Sequence, residues 1–389
     1  MAETGLPLEG VRVVEMTHMV MGPTCGMILA QLGAEVIKVE PPAGDKTRSL
    51  GGMGVSFFPL FNRGKRSIVL DLAKAEDRDT LHRLLEGADV FVENFRDGQL
   101  DKQGLGAEQL RQKYPHLIIV GHKGFLSGPY EHRPALDEVV QMMSGLAAMT
   151  GTKEKPQRVG SSANDIMGGM FGVISILAAL YQKRSTGSAS GADIRIGLFE
   201  NCLFLVAQHM VEYEMTGNKP RSMPEREHAW PIYDIFDTAD GNRIFIGVVT
   251  EGHWQSFCRE FGMQEFLDDP SLRTTTDRIM ARSRIILRAA DIIKGWTIAK
   301  LSEKLDALNI CFSPINRPED LFNDPHVLRP GGLVNNFDAN GAPFRVPALP
   351  IEWNGANIGE GLKVAPLGAD TAAVRAELDK AEKAERKRA

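Results

Sequence analysis

Four cysteines in 389 residues are too few and too scattered for a disulfide framework. Cys25, Cys202, Cys258 and Cys311 show neither CxxC nor Cys/His spacing, which favours a reducing compartment. Positive charge is not in excess either: 45 Lys and Arg stand against 50 Asp and Glu, a formal net charge of −5. No global basic field points to nucleic acid, so an anionic ligand would need local cations or helix N-termini. The opening Met1-Ala2-Glu3-Thr4-Gly5 lacks the basic and apolar regions of a signal peptide. The longest uncharged run follows Asp165 and falls short of the roughly 20 residues that span a bilayer. No internal repeat or low-complexity segment occurs. The expectation is a soluble, cytoplasmic protein without a membrane or nucleic-acid partner.

Several catalytic signatures are missing as well. A dinucleotide fold needs GxGxxG just after its first strand, so that the backbone can approach the pyrophosphate. After the strand expected at 11–16 the chain reads Thr17-His18-Met19-Val20-Met21-Gly22-Pro23, which does not fit. Gly51-Gly52-Met53-Gly54 is out of position and lacks the third glycine. Walker A and GxSxG motifs are absent. His18, His122, His132 and His228 are isolated, so no metal site is expected.

What is present is a core-forming chain, 43% hydrophobic and long enough for about two domains. Short β-rich runs alternate with helical patterns through the first two hundred residues. Strands are expected at 11–16, 35–40, 67–71, 89–93, 117–121 and 192–196. Helical patterns fall at 24–32, 78–85, 107–113, 136–149, 165–183 and 198–215. Such alternation predicts an α/β fold, a mostly parallel sheet flanked by helices. Ligands then bind outside the carboxyl ends of the strands. Those ends carry Thr17-His18, Glu40-Pro41, Asn94-Phe95 and His122-Lys123. A polar segment with Pro220 and Pro224 reads as a linker. A separate unit follows, with a hairpin-like pair at 231–236 and 243–249 across Ala239-Asp240-Gly241-Asn242 and helices after it. The charged tail at 371–388 reads as a solvated helix face.

Asp165 stands at the mouth of the apolar run 166–181. If that run is a helix, its free N–H groups and dipole stabilise a carboxylate there. The plain alternative is that Asn164 and Asp165 cap the helix. The two roles are compatible.

The chain resembles the class III (CaiB/BaiF-like) CoA-transferases, the family of formyl-CoA transferase and carnitine CoA-transferase. The resemblance spans nearly the full length. It is carried by Gly10-Val11-Arg12-Val13-Val14 with Gly22-Pro23, by the segment from Leu32 to Pro41, and by Asn62-Arg63-Gly64-Lys65-Arg66 running into Ser67 to Asp71. The stretch from Asp89 to Phe95, Ser127-Gly128-Pro129-Tyr130, Ser144-Gly145-Leu146, Thr150-Gly151 and Asn323-Asp324-Pro325-His326 add to it. Any one motif is weak; their order and spacing are specific. The resemblance implies a Rossmann-like large domain from 1–216 and 326–389, a linker at 217–229 and a smaller α+β domain at 230–325. It further implies an interlocked homodimer, with the segment 230–233 closing a site shared between subunits.

The same resemblance makes Asp165 the nucleophile that relays CoA from an acyl-CoA to a carboxylic acid, with CoA thioesters as substrates and no other cofactor. Lys102 matches an arginine that approaches the nucleotide, and Asn94, Lys65 and Arg66 are further candidates for CoA. Asp137 matches a second acidic position; its plain reading is an acid in a helix's first turn. Racemases of this fold carry a histidine where Leu136 stands, so proton exchange at the α-carbon is disfavoured. Oxalate-specific relatives carry a glutamine in place of Val20 and a glycine run that this chain lacks. His18, His122 and Lys123 would then face the second carboxylate of a short dicarboxylate, with succinyl-CoA as donor.

Overall fold

The alternation of β-branched and amphipathic stretches builds one six-stranded parallel sheet. The computed structural model describes residues 5–387, so residues 1–4, Arg388 and Ala389 lie outside it. In chain order, β1 (Arg12–Met16) leads to α1 (Met21–Gln31), β2 (Glu35–Glu40), α2 (Phe57–Asn62) and β3 (Arg66–Val69). Next come α3 (Ala75–Glu86), β4 (Val90–Glu93), α4 (Ala107–Lys113) and β5 (Ile118–Lys123). The series closes with α5 (Asp137–Met143), α6 (Leu146–Thr150), α7 (Ala163–Thr186), β6 (Asp193–Gly197) and α8 (Leu198–Thr216).

Strand order is β3-β2-β1-β4-β5-β6, and every neighbouring pair is parallel. The order reverses between β1 and β4, which opens a crevice at their carboxyl ends. Alternate strand residues feed two cores. Val13, Val90 and Val120 pack with α1 and α7, whereas Val14, Phe91 and Ile119 pack with α3 and α4. The helix expected over 136–149 is two: Gly145, with φ of +86°, breaks it between α5 and α6.

At 24 residues α7 is longer than the sequence pattern predicts, and it is long and apolar enough to cross a bilayer. Its inner face carries Gly168, Gly169 and Gly172 alongside Val173, Ile176 and Ala179. A Cβ on Gly169 would stand 2.7 Å from the Met21 carbonyl oxygen and 2.6 Å from Thr24 Cβ. One on Gly172 would stand 2.6 Å from His122 Nε2. These positions let α7 lie close on α1 and β5, so its apolar composition on that face belongs to the core.

The smaller unit, Glu225–Val327, starts inside the stretch read as a linker. The expected hairpin is there: β7 (Ile232–Asp237) pairs antiparallel with β8 (Arg243–Val248), and β9 (Cys311–Pro314) adds to β8. Helices α9 (Glu251–Glu260), α10 (Gln264–Asp268), α11 (Thr275–Met280), α12 (Arg282–Ile293) and α13 (Ile298–Ala307) accompany this sheet. Trp254, Phe257 and Ile285 fill its core.

From Leu328 the chain rejoins the larger unit, with the antiparallel pair β10 (Leu333–Phe337) and β11 (Pro343–Pro347) and then α14 (Thr371–Arg386). This tail is docked on one side rather than fully solvated. Val374 is buried, and Arg83 meets Asp379 at 2.9 Å. Just before and at the start of α14, Asp370 accepts from the Ser67 N–H and Thr371 from the Val69 N–H, at 2.9 and 3.0 Å. Backbone donors on the sheet's β3 edge are covered that way.

Gly169→Ala should lower the unfolding free energy by about 1–3 kcal/mol through overpacking against α1. Gly160→Ala, with no neighbouring atom within 4 Å, should change it by less than about 0.5 kcal/mol. Urea unfolding of the two variants compares them.

Candidate active site at the strand ends

A cavity of about 780 Å³ opens at the carboxyl ends of β1, β2, β3 and β4. Met16, Val39 and Leu70 form its apolar floor, while His18, Lys46 and Gln103 bring polar groups to its walls. The β1–α1 loop forms one side. Asn94 holds that loop from both directions: its Oδ1 accepts from the His18 N–H at 3.0 Å and its Nδ2 donates to the His18 carbonyl at 2.7 Å. Between these bonds and α1, Met19 adopts φ of +65°, a conformation L-residues rarely take. Desolvation outweighs nearby Asp45 and keeps the His18 imidazole below its usual pKa.

The other side of the same loop meets α7. Val20 packs with Met27, Phe61 and Ile166, and Met21 lies against Gly168. Asp165 therefore sits one loop away from the cavity, in the first turn of α7. Ser162, without a side-chain bond, is the cap residue; neither Asn164 nor Asp165 is. Asn164 is buried and donates instead to the Leu198 carbonyl at the start of α8, at 2.9 Å. The half-buried Asp165 carboxyl is pushed up to about 7, first by burial and then by the negative charge of Asp137, with Arg158 pulling the other way. Asp137 begins α5. It accepts from Gln141 Nε2 at 2.7 Å, has Arg158 Nη2 at 3.8 Å, and is itself raised by burial.

A sequence model of CoA-transferase family III matches residues 8–371. The chain belongs to that family. It is 31% identical to succinyl-CoA–D-citramalate CoA-transferase of Chloroflexus aurantiacus, over 91% of this chain and 92% of the relative. It is also 31% identical to succinate–glutarate CoA-transferase of Agrobacterium fabrum, with 97% of each chain covered. Among solved structures, a CaiB/BaiF family protein from Brucella suis superposes with a TM-score of 0.85 at 33% identity, covering 96% of this chain and all of that one. This protein is thus a family III CoA-transferase enzyme.

Within this CoA-transferase the residues expected at the site divide. His18 and Asn94 gather at the cavity, though Asn94 spends both ends of its amide on the loop backbone. Lys102 is exposed on a short turn whose neighbours Leu100 and Gln103 line the cavity. Asp137 stands beside Asp165. The other expected residues are buried or already engaged by carboxylates. Lys65, expected at CoA, is buried against Glu15 at 2.7 Å and also bonds Asn62 and the Pro23 carbonyl. Burial pushes its pKa down to about 8, with Glu15 opposing. Arg66 is committed to Glu35 and to Glu377 of α14. Lys123 is held by Glu93 at 2.7 Å and Asp97 at 3.4 Å, so it does not stand free for a substrate carboxylate. His122 is buried beneath α7, and Val20 is buried in the core.

Three residues went unnoticed in the sequence. Lys46 lines the cavity just beyond β2, where its place after a strand end was the available signal. Arg158, upstream of the apolar helix, reaches Asp137. Gln141 looked like one more polar residue in a helix.

Lys65→Met would leave Glu15 poorly compensated in the core, with only Lys38 at 3.4 Å. A loss on the order of 3–5 kcal/mol is expected in denaturant unfolding, with the KM for acyl-CoA unchanged in the folded fraction. His122 gives a pH signature. Burial lowers its pKa from 6.5 to about 4. Between those values the unfolded chain binds a proton that the folded one does not, so stability should fall as pH drops through that window. His122→Leu should flatten that part of a melting-temperature profile.

Proposed function

We propose that this enzyme moves CoA from succinyl-CoA to a short dicarboxylic acid through covalent chemistry at Asp165. One observation carries the reading: a carboxyl tuned near neutrality lies at a helix N-terminus, one loop away from a cavity large enough for part of a nucleotide thioester. The positive end of α7 favours the carboxylate, against burial and Asp137, which favour the acid.

The Asp165 carboxylate attacks the thioester carbonyl carbon, and the C–S bond breaks to release CoA thiolate. The thiolate then attacks the aspartyl carbonyl of the mixed anhydride. The donor acid leaves as its carboxylate, and Asp165 carries CoA as a thioester. An acceptor carboxylate reverses the two steps and departs as its CoA ester. Splitting one hard exchange into four substitutions is the gain of covalent catalysis. The anhydride must be kept from water, and the apolar loop face of Val20 and Ile166 serves that end. The cavity at the strand ends, with Lys46 and Lys102 on its borders, would take the phosphorylated part of CoA. The relatives named above act on D-citramalate and glutarate, which supports the dicarboxylate assignment. Leu136, next to Asp137, supplies no acid–base partner for racemisation.

The reading includes a homodimer in the cytoplasm. Met170, Ile174 and Tyr181 of α7, with Phe204, Met210 and Met215 of α8, leave apolar side chains exposed that a second copy would cover.

Succinyl-CoA mixed with a panel of carboxylates, followed by mass spectrometry, should yield new thioesters of dicarboxylates before those of monocarboxylates. Hydroxylamine should trap the succinyl-CoA-treated enzyme at Asp165, and Asp165→Ala should lose at least about a thousandfold in kcat. Full activity in that variant would overturn the covalent route. Deuterium exchange at the α-carbon without any acceptor would mark a racemase instead. With Asp165 ionising near 7, kcat/KM should climb with pH through that region.

A further inference from the structure

We propose that Gln141 is a positioning residue of the transfer reaction, holding the Asp137 carboxylate in front of Asp165 and tying the segment that launches α7 to α5. The inference rests on Asp165 being the nucleophile. Gln141 is completely buried, and both ends of its amide are engaged. Its Oε1 accepts from the Val159 N–H at 2.9 Å, and its Nε2 donates to Asp137 Oδ2 at 2.7 Å. The first bond dictates the second. A backbone N–H can meet only the oxygen end of the amide, so the NH2 end must face the carboxylate. The same segment is held again by Arg158, whose Nη2 donates to the Ser161 carbonyl at 3.1 Å and stands 3.8 Å from Asp137 Oδ2.

A donor on Asp137 favours its ionised form against the pull of burial. Gln141 thus maintains a negative charge whose repulsion keeps Asp165 basic, and a catalytic carboxylate gains from a pKa near the working pH. The other charged or titratable groups around the pair are few. Glu138 on α5 is exposed and pairs with Arg158 at 2.5 Å. Arg158 comes from the segment before α7. Cys202 on α8 is buried, and its thiol is pushed up to about 11, so it stays neutral. Asn164 on α7 and Ser144 after α5 are uncharged, and α6 brings no titratable side chain.

The signs follow. Gln141→Leu removes the donor, so Asp137 takes up a proton at higher pH and its repulsion on Asp165 fades. Asp165 then ionises at lower pH. Gln141→Met removes the same donor at nearly the same side-chain length and works the same way. The experiment is the pH profile of kcat/KM for succinyl-CoA in wild type, Gln141→Leu, Gln141→Met and Asp137→Asn. The acid limb should move down by roughly one unit in Gln141→Leu, Gln141→Met and Asp137→Asn. Adding Gln141→Leu to Asp137→Asn should produce no further shift.

A Gln141 that only supports the fold would lower kcat and leave every limb in place, which overturns the proposal. If Gln141→Leu does not fold by circular dichroism and gel filtration, the downward shift of Gln141→Met decides alone. Wild-type transfer with hydroxylamine trapping at Asp165, but unmoved limbs, refutes this role only. Absence of trapping in the wild type refutes the nucleophile assignment and this role with it.

Discussion

The chemistry proposed for Asp165 hangs on how closely α7 lies against α1. Two glycines on the inner face, Gly168 and Gly169, meet Met21 and Thr24 where a single added methyl group would collide. That contact brings the first turn of α7 up to the β1–α1 loop. The loop then has two surfaces, one lining the cavity at the strand ends and one packed on the helix that carries Asp165. Bulkier residues would push the helix outward and separate the carboxylate from whatever the cavity holds. Dispersion and shape thus set the distance over which the proposed covalent step at Asp165 would operate.

Electrostatics then set the reactivity. Asp165 is pulled toward protonation by burial and by Asp137, and toward ionisation by the helix terminus and Arg158. Burial and Asp137 outweigh Arg158 and bring the carboxyl up to about 7. The core nearby treats charge differently. Glu15, Lys38, Lys65 and Asp45 form a closed buried set in which each charge has an opposite partner. One group of ionisable residues is arranged for poise and the other for compensation.

Much of this is legible in the amino-acid sequence alone. The alternation of strands and helices, the hairpin at Ala239-Asp240-Gly241-Asn242 and the position of Asp165 follow from local pattern and motif order. The roles of cations cannot be read that way. Lys65, Arg66 and Lys123 look alike in sequence to lysines and arginines that bind phosphate, and only the fold reveals the carboxylates that claim them. Those partners lie far off in sequence, as with Lys65 and Glu15 or Arg66 and Glu377. The helix break at Gly145 escapes notice because its neighbours keep a helical pattern. Gln141 does so because its two partners, one a backbone N–H across a loop, leave no mark on composition.

The docking of α14 has a consequence for the order of events during synthesis. β3 is an edge strand, and two of its backbone N–H groups are satisfied by Asp370 and Thr371. These residues leave the ribosome after the whole smaller unit has been made. Until then the nascent sheet carries an open edge able to pair with another chain. α14 is therefore a closing seal, and a chain stalled or clipped before residue 370 would leave the β3 edge of the sheet open.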